Sequence, residues 1–313
     1  MKRTSRNLLA LLLLLFGCGG GVTAGSAEAE KTIPRDWRGA WQARVPPEKA
    51  VYLNIEPDRI VEHDGTALIV RGFIRRSGDR LTLRKLGLQE EWTVVKTADA
   101  ALRVVYADGT VQSFRRLSRT PPQVRLEPLR LPSPRPLPPE RIRAIQDEIA
   151  ARTRKEQEIL HDPVRRNGFA LLQQENLAFL RQLLSEVGWI DRNRFGVETS
   201  VQAALMAKHT EDLQLLMTIL PHAEEDFRKA GRGRAYAILF DAVQLELGRK
   251  QRYGTQVQED AAGQPFVLPL DEPDKVNTYL KRIGLPPLEV YREKIGNAVF
   301  AGKVVQVRQE EVQ

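Results

Sequence analysis

Cysteine is almost missing from this chain of 313 residues. Its one instance, Cys18, leaves no partner for an intramolecular disulfide and rules out a multi-cysteine metal site. Histidine is scarce too. His63, His161, His209 and His222 show none of the spacings at which metal-binding histidines recur, so neither a metal nor another cofactor is expected. Nothing supplies a recognisable catalytic nucleophile. Gly231-Arg232-Gly233 is too short and too basic for a phosphate-cradling loop and reads as a turn entering a helix. The apolar run Leu8 to Phe16 is too short to span a bilayer stably.

What is present is an ordinary globular composition, 42% hydrophobic and 28% charged, long enough for two domains with cores of their own. A core of that size dispenses with disulfides even in an exported protein. The formal charge is +8. Lys2, Arg3 and Arg6 belong to a segment expected to be removed, and eight less those three leaves +5, spread without a dominant block. Such a balance favours anionic lipid or polysaccharide weakly and gives no footprint for nucleic acid.

The chain starts with basic residues, continues through the apolar run, and reaches Gly17-Cys18 at once, the order of a secretory signal. Leu15-Phe16-Gly17-Cys18 resembles the lipobox of bacterial lipoproteins, with Phe16 bulkier than the usual occupant of its position. The resemblance implies a signal peptide over 1–17, a lipidated Cys18 as mature N-terminus, and attachment to the membrane through its acyl chains. It also implies a place in the bacterial cell envelope. Gly19 after the cysteine resembles the signal for the outer membrane, facing the periplasm, in a host with two membranes. Residues 18–35 are small and polar and are expected to form a flexible tether.

Residues 36–118 carry short alternating runs broken by turn pairs: 51–55, 67–74, 80–86, 92–96, 102–106 and 111–117. Asp64-Gly65, Ser77-Gly78-Asp79 and Asp108-Gly109 supply tight turns, so a small antiparallel barrel or strongly curved meander is predicted. The opening Trp37-Arg38-Gly39-Ala40-Trp41 resembles the Gly-x-Trp start of lipocalin-like domains, which implies a tryptophan plugging one barrel end. Trp41 and Trp92 are expected in the core. Arg71, Arg75, Arg76, Arg80, Arg84 and Lys85 are expected on a solvated strand face.

Eight prolines fall within 119–139, which predicts a semi-rigid spacer. Residues 140–313 then read as a mainly α-helical domain with a β-hairpin, making the whole chain α+β and multidomain. Helices are predicted over 140–160 and 169–187, the latter stopped by Gly188. A third runs from Ser200 to Leu220, with His209 on its apolar face and Asp212 one turn on. Residues 234–247 are apolar nearly all round and form the predicted central helix. Asp241 inside it needs a partner, whether His209, an arginine or the following loop. The predicted hairpin pairs 253–257 with 265–270. Short helices follow, capped by Asp271 and closing at Gly284 and after Pro286-Pro287, and an edge strand is predicted within 298–307.

The stretch from Trp189 to Tyr291 resembles an uncharacterised bacterial domain family. The matching residues are His209, then Gln251, Tyr253, Gly254, Thr255 and Gln256, then the close from Gly284 to Leu288 and Tyr291. The family's helix before the loop usually ends in Leu-x-Asp-Arg; Leu239 and Asp241 keep that pattern and Ala242 departs from it. The resemblance brings no function. By their chemistry, His209 and Asp241 are the candidate catalytic base pair, and Tyr253, Thr255 and Gln256 the candidate ligand-binding groups. With no nucleophile, the leading expectation is a lipid-anchored envelope protein whose helical domain binds a polar ligand, or a protein or glycan partner. An envelope hydrolase and a purely structural envelope component are the alternatives.

Overall fold

The computed structural model describes residues 33–43, 51–63, 68–85, 88–97, 101–118, 127–161, 168–259, 263–300 and 302–307. Cys18, residues 19–32 of the tether and the Asp64-Gly65 turn lie outside them, while Ile33 near the tether's end is buried in the core of the first unit. The chain forms two compact units, 1–124 and 125–313.

The first unit is a closed barrel of eight antiparallel strands in simple meander order. They are β1 (Gly39–Ala43), β2 (Tyr52–Ile55), β3 (Arg59–His63), β4 (Leu68–Ser77), β5 (Arg80–Lys85), β6 (Leu88–Lys96), β7 (Leu102–Val105) and β8 (Val111–Arg116). Closure is made by β1 against β8, with Trp41 opposite Arg116 and Ala43 opposite Phe114. Following the register around the ring places Trp41, Leu53, Ile60, Leu83, Trp92, Val104 and Phe114 on the inner face. All are buried, so side chains fill the lumen. Trp41 sits at one end with Trp37, whose carbonyl accepts its indole N–H at 2.8 Å.

The same inner face carries charge at the other end. Register puts Glu62 on β3 opposite Leu53, Arg71 on β4 opposite Ile60, and Glu90 on β6 opposite Leu83. Arg71 Nη1 donates to Glu62 at 2.8 Å, its Nε pairs with Glu90, and its guanidinium lies 4.5 Å from the Trp92 ring centre. Tyr106 donates its hydroxyl to Glu62 at 3.2 Å. Arg71 and Arg84 are thus buried rather than on the solvated face expected of them, while Arg75 and Arg80 are exposed. An isolated arginine inside a barrel would be costly; two carboxylates and an indole face offset that cost.

The second unit is built on five longer helices: α1 (Pro139–His161), α2 (Phe169–Val187), α3 (Arg192–His209), α4 (Leu213–Ala230) and α5 (Arg234–Glu246). After them come β9 (Val257–Glu259), β10 (Pro265–Val267), a 3-10 turn at Pro273–Lys275, α6 (Val276–Arg282), α7 (Leu288–Val299) and β11 (Gln306–Val307). Strand β10 is central, antiparallel to β9 and parallel to β11. Residues 127–138 form no helix or strand, as the prolines dictate. They lie on the helices: Leu129 N–H donates to Thr218 Oγ1 at 2.8 Å, and Gln214 Nε2 to the Glu127 carbonyl at 2.9 Å.

The third predicted helix is two. Its start moves back to Arg192, capped by Asp191, whose carboxylate accepts the N–H groups of Asn193 and Arg194. A kink at Gly196 (φ 81°) precedes Ser200. The helix ends at His209, because Thr210 turns its hydroxyl onto the Ala207 carbonyl and Glu211 is left-handed (φ 52°). Asp212 then caps α4 by accepting Leu215 N–H at 2.7 Å, and binds Arg181 at 2.8 Å. Helix α5 and the Gly188 stop fall where predicted. Residues 253–256 form a loop rather than a strand, because the Asp241 carboxylate takes up the N–H groups of Tyr253 and Thr255 and the Gln251 side chain that of Gln256.

Candidate functional site

Asp241 is fully buried in the middle of α5. Its Oδ1 accepts the backbone N–H groups of Arg252 at 2.8 Å and Tyr253 at 3.0 Å. Its Oδ2 accepts the Thr255 N–H at 2.9 Å and the Thr255 hydroxyl at 2.8 Å. Burial pushes the carboxyl above its ordinary value, while these donors pull it back. All four partners donate, so the carboxylate is the form this pocket fits. Backbone N–H groups committed to a carboxylate cannot join a sheet ladder, and the strand expected from Tyr253 starts only at Val257.

Gln251, also fully buried, repeats the device beside it. Its Oε1 accepts Gln256 N–H at 2.9 Å, and its Nε2 donates to the carbonyls of Gln256 (3.1 Å) and Leu268 (2.6 Å). Gln256 donates through Nε2 to the Ile238 carbonyl at 3.2 Å and to Thr255 Oγ1 at 2.8 Å. Tyr253 packs its ring edge-on to Phe240 and Tyr236, with centroids 5.5 and 6.0 Å away. Gly254 (φ 70°) lies so close to α7 that an added Cβ would meet Leu288 at 2.8 Å. Tyr291 donates its hydroxyl to the Thr255 carbonyl at 3.2 Å, joining the Gly284–Tyr291 close to the same loop. Tyr253, Thr255 and Gln256 are therefore brought together with Asp241, as a buried clasp between α5, α7 and β10.

His209 is not part of it. Its Nδ1 lies 3.0 Å from Glu156 of α1, a carboxylate with no solvent exposure, whose other oxygen accepts from Asn176 of α2 at 2.7 Å. Arg152 donates to Asn176 at 3.1 Å, and Phe169 meets the imidazole edge-on at 6.0 Å. Burial, then the neighbouring Lys208, lower the imidazole's affinity for a proton, and Glu156 opposes them. His209 and Asp241 thus take separate partners in the structure, and Glu156 is the carboxylate that the sequence reading missed. Its place on α1, 53 residues before His209, gave no local signal.

One cleft opens at the seam of α3, α4 and α5. It has a volume of about 200 Å³, and its walls include Arg192, Ser200, Asp226, Arg232, Arg234 and Tyr236. Arg192 comes from the first turn of α3, Arg232 from the junction before α5, and Arg234 from the first position of α5. That junction is narrow: a Cβ on Gly284 (φ 69°) would meet the Gly231 carbonyl at 2.5 Å, and one on Gly233 would meet Ile283 at 2.9 Å. Asp226 accepts the Trp189 indole N–H at 3.1 Å and the Arg192 backbone N–H at 3.4 Å, and burial raises its affinity for a proton. A second groove of about 460 Å³ along α1 and α3 is shallower and lined by the half-buried Ala150, Thr153, Gln157 and Gln202 with the exposed Arg154 and Glu158.

A protein-family model described as a family of unknown function (DUF6624) matches residues 162–304, from before α2 to past α7. The helical unit thus carries a domain of unknown function. No curated protein matches the chain, and no solved structure does.

Proposed function

We propose that this protein is a non-catalytic binding module at a bacterial membrane surface, whose helical unit takes a small polar ligand in the α3–α5 cleft. One observation carries the reading. The polar side chains Asp241, Thr255, Gln251 and Gln256 are spent on internal hydrogen bonds, and the α3–α5 cleft is lined instead by the charged Arg192, Asp226, Arg232 and Arg234. The basic start, the apolar run and Gly17-Cys18 support attachment through lipidated Cys18 and a place in the envelope, on the outer membrane where the host has one.

The test is a thermal-shift screen of the full chain against small neutral and charged sugars, acids and amines. A true ligand at about 100 times its Kd adds about 2.7 kcal/mol, or about 5–11 °C for a unit of this size. Absence of any shift across the panel overturns the module. Retention of the Cys18→Ser chain in the membrane fraction overturns the anchor.

The hydrolytic alternative has one contact in its favour, that of His209 with Glu156 at 3.0 Å. A base there would be oriented by Glu156, with Asp241 serving the clasp. Turnover of an ester or amide substrate that vanishes in His209→Gln would establish it.

A further inference from the structure

We propose that the α3–α5 cleft is a site for a phosphate monoester, gripped by Arg192, Arg232 and Arg234 at the N-terminus of α5. This rests on the binding-module reading and names its ligand class.

Charge is the first argument. Three guanidinium groups line the cleft with one carboxylate, Asp226. Among the described residues none of the three makes a salt bridge, whereas Arg181, Arg194 and Arg228 of the same unit each hold an Asp or Glu within 2.8 Å. Three positive charges against one negative leave two uncompensated, which suits a dianion better than a monocarboxylate. Burial of Asp226, which favours its neutral form, only widens that excess.

The second argument is an unmet donor. Arg192 Nη1 is out of contact with water and has no hydrogen-bond partner among the described residues. A buried donor left so is costly, and turning the guanidinium into the cleft, where a phosphate oxygen would accept from it, relieves that cost. Planar guanidinium forks also match phosphate in pairs, as ammonium groups do not.

Third, α5 is a 13-residue helix whose cap, Gly233, provides no side-chain acceptor for the first N–H groups. Arg234, Ala235 and Tyr236 of its first turn line the cleft, which sets the positive end of the helix at the cleft wall. Size limits the group esterified to the phosphate. Sites for drug-sized ligands run to about 300–1,000 Å³, and about 200 Å³ holds a phosphate with a short polyol or sugar, not a dinucleotide. Tyr236, Val201 and Leu285 supply an apolar wall for the esterified carbon chain.

The phosphate can come from a soluble metabolite or from a lipid headgroup. Calorimetric titration of the full chain with glycerol 3-phosphate, with glycerol as control, tests the first. Sedimentation with phosphatidylcholine vesicles, with and without phosphatidate, tests the second. Binding of either probe supports the site and identifies the source. The Arg232→Gln/Arg234→Gln chain, altered at two exposed positions, should bind at least about tenfold more weakly, as should Arg192→Lys, which keeps the charge and loses the fork. No binding of either probe, or unchanged affinity in the double variant, overturns the proposal. A neutral ligand from the wider screen that binds wild type and double variant alike would leave the module standing and remove the phosphate. A screen in which nothing binds removes both.

Discussion

Replacing Asp241 separates a clasp that holds the fold from a group held ready for a ligand. In Asp241→Ala the N–H groups of Arg252, Tyr253 and Thr255 and the Thr255 hydroxyl all lose their acceptor. Each unsatisfied buried donor costs about 1–3 kcal/mol, and the loss from one substitution seldom passes about 5 kcal/mol, so a total of about 3–5 kcal/mol is expected. At about 2–4 °C per kcal/mol for a unit of this size, the melting temperature should fall by about 6–20 °C. Asp241→Asn is the finer probe. Its carbonyl oxygen still accepts from Arg252 and Tyr253, and the Thr255 hydroxyl can reverse to accept from the new amide, so Thr255 N–H alone is orphaned. A loss of about 1–3 kcal/mol is expected, smaller than that of alanine. Thermal unfolding of the full chain, followed by its helical circular-dichroism signal, reads both. If the two variants melt within about 1 °C of wild type, the clasp is not holding the loop and the argument fails.

The same structure sets three further outcomes. Gly284→Ala should destabilise the helical unit by more than about 1 kcal/mol, because φ 69° strains any Cβ and the Gly231 carbonyl stands 2.5 Å from it; Gly302→Ala (φ 82°), with nothing within 4 Å, should cost less in the same melt. His209 should titrate below the ordinary 6.5 by NMR. Since its folded affinity for a proton is depressed, the unfolded chain protonates first as pH falls, so stability present above about pH 6.5 is lost below it, and His209→Gln should flatten that slope. In the barrel, Arg71→Met leaves Glu62 and Glu90 without their cation and should cost about 3–5 kcal/mol in chemical denaturation, with Glu62→Gln in the same chain restoring part.

The sequence disclosed the barrel through its turn pairs and alternating runs, and the helices through their apolar stripes. Strand β3 escaped because Glu62 occupies an inward position, where alternation calls for an apolar residue, and Arg71 on β4 hid its inward role in the same way. The β3–β4 pairing, which makes the two opposite charges diagonal neighbours on the inner face, accounts for both. The predicted helix from Ser200 to Leu220 joined two because α3 and α4 both bury apolar faces, so the period runs on across Glu211. The local signal for the break was Asp212, read as a neighbour of His209 and found to be the cap of α4.

The candidate residues divide along the same line. Tyr253, Thr255, Gln256 and Asp241 were gathered on chemistry and do meet, since a loop following directly on α5 has few ways to satisfy a carboxylate buried in it. His209 meets Glu156 instead, which lies on a helix far back in the chain where no local pattern points to it. The cleft arginines were legible only as a short basic turn; their convergence with Arg192 depends on how α3 packs on α5.

Amide chemical-shift mapping on the isotope-labelled full chain, titrated with inorganic phosphate, tests the account most directly. It predicts shifts centred on Arg192, Arg232, Gly233 and Arg234, with Tyr253 to Gln256 and His209 little changed. Shifts centred on His209 and Glu156, or on Thr255 and Gln256, would contradict it and move the site onto the residues that now read as scaffold.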